Sequence, residues 1–101
     1  MSDKAKKYFA AKLVSPRPTF PFDMSEDEKQ LMQQHSEFWR VLMANEKAIV
    51  TGPVLDPNGA YGFGIVIAES EEEACLLLKD DPAQRISKYE IYQMLASLPT
   101  K

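Results

Sequence analysis

The order of strand-like and helix-like segments along the chain predicts an α+β fold. It runs strand, helix, strand, strand, helix, strand, a ferredoxin-like βαββαβ arrangement with an antiparallel sheet carrying both helices on one face. Three observations carry this reading. Two capping signatures, Ser25-Glu-Asp-Glu28 and Ser70-Glu-Glu-Glu73, each open a stretch with helical apolar spacing. The run Asp56-Pro57-Asn58-Gly59 is tight turn chemistry between two strand-like segments. Aromatic and aliphatic segments at Lys7–Val14 and Lys88–Leu95 supply the outer strands.

The first strand, Lys7 to Val14, stops at Ser15-Pro-Arg-Pro18, because proline has no N–H to give to a ladder. An extended loop follows, through Pro18, Phe20, Pro21 and Phe22, with two aromatics that read as exposed and a position suited to a lid or pocket wall. Ser25 caps the first helix, Glu28 completes the capping box, and Glu26 and Asp27 complement the helix dipole. Apolar residues at Leu31, Met32, Phe38, Trp39, Leu42 and Met43 keep the three-and-four spacing as far as Asn45. Lys47 to Thr51 is a short strand that Gly52-Pro53 is expected to break, and Ala60 to Ala68 is its antiparallel partner across the turn. The second helix spans Glu69 to Lys79 with Ala74, Leu77 and Leu78 facing in, and ends at Asp80-Asp81-Pro82, where proline pushes the preceding residue out of helical geometry. A short turn from Ala83 to Ile86 leads to the last strand, and Pro99 and Lys101 belong to a tail.

Composition bounds what such a fold can do. The 101 residues read as a single domain, 1–101, and the 45% hydrophobic and 27% charged fractions fit a soluble globular chain. A net charge of -3 supplies no basic surface for phosphate backbones, so no nucleic-acid partner is expected. The lysines near the start (Lys4, Lys6, Lys7) read as solubilising. No apolar run approaches the roughly 20 residues needed to span a bilayer, so no membrane role is expected. The charged N-terminus is unlike an export signal, and a lone cysteine, Cys75, fits a reducing cytoplasm. That cysteine reads as a buried, inert packing residue on the second helix. There is no Gly-rich phosphate loop and no Cys/His cluster, so neither cofactor nor metal is expected; Gly59, Gly62 and Gly64 fall in a turn and a strand, with no helix opening after them.

The sheet's second face is informative. In the third strand Tyr61, Phe63, Ile65 and Ile67 line one face and Gly62, Gly64, Val66 and Ala68 the other, with no charge in either row. In the first strand Phe9, Ala11 and Leu13 oppose Tyr8, Ala10, Lys12 and Val14, a row weakly polar at best. Helices cover one face only, so the other is expected to be covered by a second copy of the chain, giving a homodimer from which higher oligomers could be built.

His35 is the only histidine, and it lies on the first helix between Leu31 and Leu42, on the apolar arc. Imidazole has an unperturbed pKa near neutrality, so this position allows proton transfer into a pocket and equally allows a satisfied core histidine.

The helix histidine His35, the segment Ala48-Ile-Val-Thr-Gly-Pro53 and the Asp80-Asp81-Pro82 helix end resemble, in order and spacing, the YciI-like (YCII-related) proteins. The resemblance covers nearly the whole chain and implies a dimeric α+β barrel similar to muconolactone isomerases and related ferredoxin-like enzymes. In that family the helix histidine and the aspartate before proline are taken as an active-site dyad, which carries over to His35 and Asp81. The chain departs from the family in having Met32-Gln33-Gln34 where an arginine often precedes the histidine. It also has Ala83 where an aromatic often follows Asp-Pro, and a longer Ser15–Met24 loop.

A carboxylate beside a histidine fixes its tautomer and leaves the other nitrogen free as an acid or base. Asp81 is equally ordinary turn chemistry at a helix end, and Asp80 is an alternative partner. Ser36 turns about 100° away around the helix, so a nucleophilic triad is not expected. Trp39 could wall a pocket against a flat ligand, and Tyr61 and Tyr92 could lend it hydroxyls. The expected function is acid/base chemistry of isomerase or lyase type, by His35 and Asp81, on a small cyclic or unsaturated acid or phenol. The alternatives are a non-catalytic metabolite-binding or accessory dimeric module, and a cofactor-free oxygenase.

Overall fold

A computed structural model describes residues 6–99. Lys4 of the N-terminal lysine cluster and Lys101 of the tail lie outside the described residues. The strands and helices follow in the expected order: β1 (Lys7–Val14), α1 (Glu26–Ala44), β2 (Ala48–Val54), β3 (Tyr61–Ala68), α2 (Glu71–Leu78) and β4 (Lys88–Met94), with a short 3₁₀ turn at Pro82–Arg85. The four strands form one antiparallel sheet in the order β2-β3-β1-β4, the ferredoxin-like topology.

Local chemistry sets the helix ends. Ser25 accepts from the Glu28 N–H at 3.1 Å and the Glu28 carboxylate takes the Ser25 N–H at 2.9 Å, so both halves of the capping box are closed. At α2 the Ser70 hydroxyl accepts from Glu73 N, but the Glu73 carboxylate reaches back to the N–H of Glu69, one residue before the expected partner. The other end of α1 is a Schellman motif. Glu46 N–H donates to Met43 O and Lys47 N–H to Leu42 O, with Glu46 itself left-handed at φ 60°.

The second strand is longer than the sequence suggests. Gly52-Pro53 does not break it; β2 runs on to Val54, with Pro53 opposite Gly62. The physical reason is position: β2 is an edge strand, and the absent proline N–H costs nothing when it faces outward.

Strand parity divides the sheet as expected. Phe9, Ala11 and Leu13 of β1, together with Gly64, Val66 and Ala68 of β3, are buried on the helix side. In β4 the residues opposite these β1 positions are Gln93, Ile91 and Tyr89. Trp39 of α1 is 1% exposed and sits in the core with Phe9, Ala11, Ala48, Val66, Ala74 and Leu78. Two expectations about exposure are overturned. Cys75 is exposed, because α2 turns Ala74 and Leu78 to the sheet and leaves Cys75 and Leu76 outside. Phe20 is buried, leaving Phe22 as the exposed aromatic of the loop.

The candidate active site

Asp81 joins two elements. It is the N-cap of the 3₁₀ turn, its Oδ1 accepting the Ala83 N–H at 2.9 Å, and its Oδ2 lies 2.7 Å from Nδ1 of His35 on α1. The aspartate therefore caps the turn with one oxygen and meets the histidine with the other. Asp80 is exposed to solvent and takes no part. Asp81 is 3% exposed, and its Oδ2 also receives the Tyr89 hydroxyl, which in turn accepts from the Trp39 indole N–H at 2.9 Å. The result is a continuous chain, Trp39–Tyr89–Asp81–His35, tying the core to the histidine.

The charges follow from this geometry. Burial disfavours ionised Asp81, but hydrogen bonds from His35, Tyr89 and the Ala83 N–H outweigh it and hold the carboxyl below its usual range. Burial, and then the neighbouring carboxylate, push the Tyr89 hydroxyl well above its ordinary value, so it keeps its proton.

His35 borders a cavity of about 530 Å³ between α1, the Ser15–Met24 loop and the β2–β3 end of the sheet. Leu13, Phe20, Met24, Met32 and Met43 make its apolar walls, and His35, Ser36, Arg40 and Thr51 contribute polar groups. Such a space suits a small molecule with an apolar body and a few polar handles. Although Ser36 lies about 100° round the helix from His35, it borders the same cavity, which wraps this side of α1.

The loop is fastened over this space. The Arg17 guanidinium forks onto both Glu28 carboxylate oxygens, at 2.9 and 2.7 Å, and also reaches Asp23 at 3.0 Å. Hydrogen bonds from Arg17 and from the Ser25 backbone bring the Glu28 carboxyl down to about 2. With the loop pinned to the start of α1, Phe20 is turned inward as a cavity wall.

Of the residues singled out in the sequence, His35 and Asp81 meet, and Tyr61 borders the cavity, with its ring also 4.5 Å from the Lys12 ammonium. Trp39 lies beneath the site and acts there as a donor to Tyr89. Tyr92 is 66% exposed, on the opposite face of β4 from the site. Tyr89 and Arg40 were not singled out in the sequence, whereas Phe20 belongs to the loop read there as a lid or pocket wall. For Tyr89 the available signal was parity, since it shares a face with Ile91 and is opposite Leu13.

A histidine on the first helix meeting the aspartate of an Asp-Pro turn is the arrangement the motifs implied, and the profile of the YCII-related domain matches residues 8–96. The chain belongs to the YCII-related family. No curated protein matches it. Among the described residues of this YCII-related protein, no group of three or more His, Cys, Asp or Glu side chains is placed to hold a metal ion, and no helix is long and apolar enough to cross a membrane.

Proposed function

We propose that this YCII-related protein is a small-molecule enzyme of isomerase or lyase type, with His35 exchanging a proton with a small cyclic or unsaturated carboxylic acid or phenol. The observation that carries the reading is the 2.7 Å contact between His35 Nδ1 and Asp81 at the edge of a largely apolar cavity of about 530 Å³. One ring nitrogen is held by a buried carboxylate, and Nε2 has no hydrogen-bond partner among the described residues. Removal of a C–H proton by Nε2 gives an enolate or dienolate and an imidazolium, whose charge Asp81 balances. Return of the proton to another carbon completes an isomerisation, and loss of a leaving group completes an elimination. Arg40 is the cationic side chain on the cavity lining and suits the carboxylate of an acid, which would compete for it with Glu37, its present partner.

The experiment is solvent exchange. A panel of small unsaturated acids and phenols is incubated with the protein in D₂O, and deuterium entering each compound is followed by proton NMR. This reads proton abstraction whatever the net reaction. Exchange lost in His35→Gln, and reduced for acids but not phenols in Arg40→Ala, supports the proposal. Exchange surviving in His35→Gln removes it. Binding without exchange in any compound leaves the non-catalytic metabolite-binding reading in its place.

The reading includes a homodimer. The sheet face away from the helices carries Tyr8, Ala10, Val14, Tyr61, Phe63, Ile65, Ile67 and Val50, with Tyr92 and Met94 from β4, and its charged residues, Lys12, Lys88 and Glu90, lie on β1 and β4. Val50, Tyr92 and Met94 are among the exposed large hydrophobics. An apolar sheet face of this extent is best covered by a second copy.

A further inference from the structure

We infer that Trp39 and Tyr89 fix the direction of every hydrogen bond on Asp81, so that neutral His35 carries its proton on Nδ1 and presents a bare Nε2 to the cavity. The argument is an inventory of protons. An indole N–H donates and cannot accept. The Tyr89 hydroxyl has two polar neighbours, the Trp39 N–H and Asp81 Oδ2. Its own proton cannot go to the indole and therefore goes to Oδ2. Asp81 Oδ1 is already taken by the Ala83 N–H at 2.9 Å, which is a donor by its chemistry. Both carboxylate oxygens are thus acceptors facing donors, in a residue 3% exposed. The one place left for a proton on Asp81 is the Oδ2 lone pair facing His35, and the two fixed donors, Tyr89 and the Ala83 N–H, disfavour it there because each bonds the ionised carboxylate more strongly than the neutral acid. The depressed Asp81 carboxyl and the raised Tyr89 hydroxyl agree with that assignment.

With no proton to give, Asp81 can meet Nδ1 of His35 at 2.7 Å only by accepting from it. The neutral imidazole is therefore the Nδ1–H tautomer. In free imidazole side chains the two tautomers interconvert through water, but here the partner that selects one is itself held by the core. The catalytic meaning of this wiring rests on the acid/base reading above: with the imidazole neutral, the site is armed as a base, and the reaction it serves opens by removing a proton from a C–H or O–H acid. Tyr89 and Trp39 are positioning residues, acting on the substrate only through Asp81 and His35.

The test needs no substrate. One histidine per chain means that protein labelled with ¹⁵N-histidine gives a single pair of ring resonances, whose shifts show which nitrogen of the neutral ring is protonated. The wild type is expected to show a protonated Nδ1 and a bare Nε2. In Asp81→Asn the Ala83 N–H still needs an acceptor, so the amide oxygen takes the Oδ1 position and the NH₂ faces His35. An NH₂ requires the Nδ1 lone pair, and the tautomer is expected to invert to Nε2–H, with the ratio changing by roughly tenfold or more, on the order of one charged hydrogen bond. In Tyr89→Phe the tautomer is retained, but the Asp81 carboxyl, followed by ¹³C NMR, should titrate about one pH unit higher for loss of one donor.

A wild type dominated by Nε2–H overturns the inference, as does an unchanged tautomer in folded Asp81→Asn. An unmoved Asp81 titration in Tyr89→Phe removes Tyr89 from it. If Asp81→Asn fails to give a native amide spectrum, the wild-type tautomer and the Tyr89→Phe titration decide the matter. The two proposals fail separately: an Nδ1–H wild type that exchanges no proton with any acid or phenol keeps the wiring and removes the enzyme.

Discussion

Trp39 occupies the space that a side chain on Gly64 would need. A Cβ at position 64 would lie 2.5 Å from the indole ring, far inside contact distance, so the glycine is what lets α1 seat this residue on the sheet. The indole is also the donor that begins the hydrogen-bond chain to His35. Gly64→Ala is therefore expected to cost about 1–3 kcal/mol by overpacking. It should also displace the Trp39 N–H from Tyr89. Thermal unfolding measures the first effect, and the second appears as a change in tryptophan fluorescence together with reduced proton exchange at the site. An alanine variant as stable as wild type would show that the indole has another place to go.

That relationship also marks where the sequence stopped being informative. The helices were legible because Ser25, Glu28 and Ser70 announce their starts and the apolar spacing of α1 is long enough to phase. The His35–Asp81 pairing was reached through motif order, since no spacing rule brings residues so far apart together. Tyr89 was missed in favour of Tyr92 although Lys88 and Glu90 alternate with Tyr89 and Ile91, which marks the Tyr92 face of β4 as the polar one. The pairing of Leu13 with Tyr89 places that tyrosine on the helix side. Phe20 was read as exposed because nothing local signals the Arg17–Glu28 fork that fastens its loop.

Tyr89 gives the fold an alkaline limit of its own. Its folded value is raised above the ordinary 10.0 by burial and by Asp81, so the protonated form is the one the native state favours. The stabilisation is fully present below about pH 10, and it is lost as pH rises toward the folded value, because the unfolded chain then releases a proton that the native chain retains. Above about pH 10 the slope from this residue should approach about 1.4 kcal/mol per pH unit. Urea unfolding of wild type and Tyr89→Phe at several pH values from about 9 to 11 isolates it. The difference in stability between the two should shrink as pH rises, and a constant difference across that range would show that Tyr89 does not hold its proton.

Glu46 is a residue in the wrong conformation for its side chain. It supplies the left-handed C′ position of the Schellman motif at φ 60°, where glycine is favoured because it has no Cβ to meet the following carbonyl. Its backbone N–H, and that of Lys47, close the end of α1 onto Met43 and Leu42 whatever the side chain is. Glu46→Gly should therefore stabilise the protein by about 1 kcal/mol. The midpoint of chemical denaturation should rise without a change in slope. A fall in stability would mean that the Glu46 carboxylate makes a contribution larger than the strain it carries.

The sheet face away from the helices tests the proposed association. Ile65 lies on the central strand β3, opposite Ala10 on one side and Val50 on the other, in the middle of that apolar surface. The substitution Ile65→Lys would bring a charge into the centre of a face-to-face interface, where an unpaired buried charge is strongly unfavourable. In a free chain the same lysine would stand in water at little cost. Wild type should sediment at twice the chain mass, and Ile65→Lys at the chain mass with an unaltered circular dichroism spectrum. A wild type that sediments as a single chain would remove the dimer. A dimer undisturbed by Ile65→Lys would place its interface elsewhere, on an edge strand such as β2 or β4.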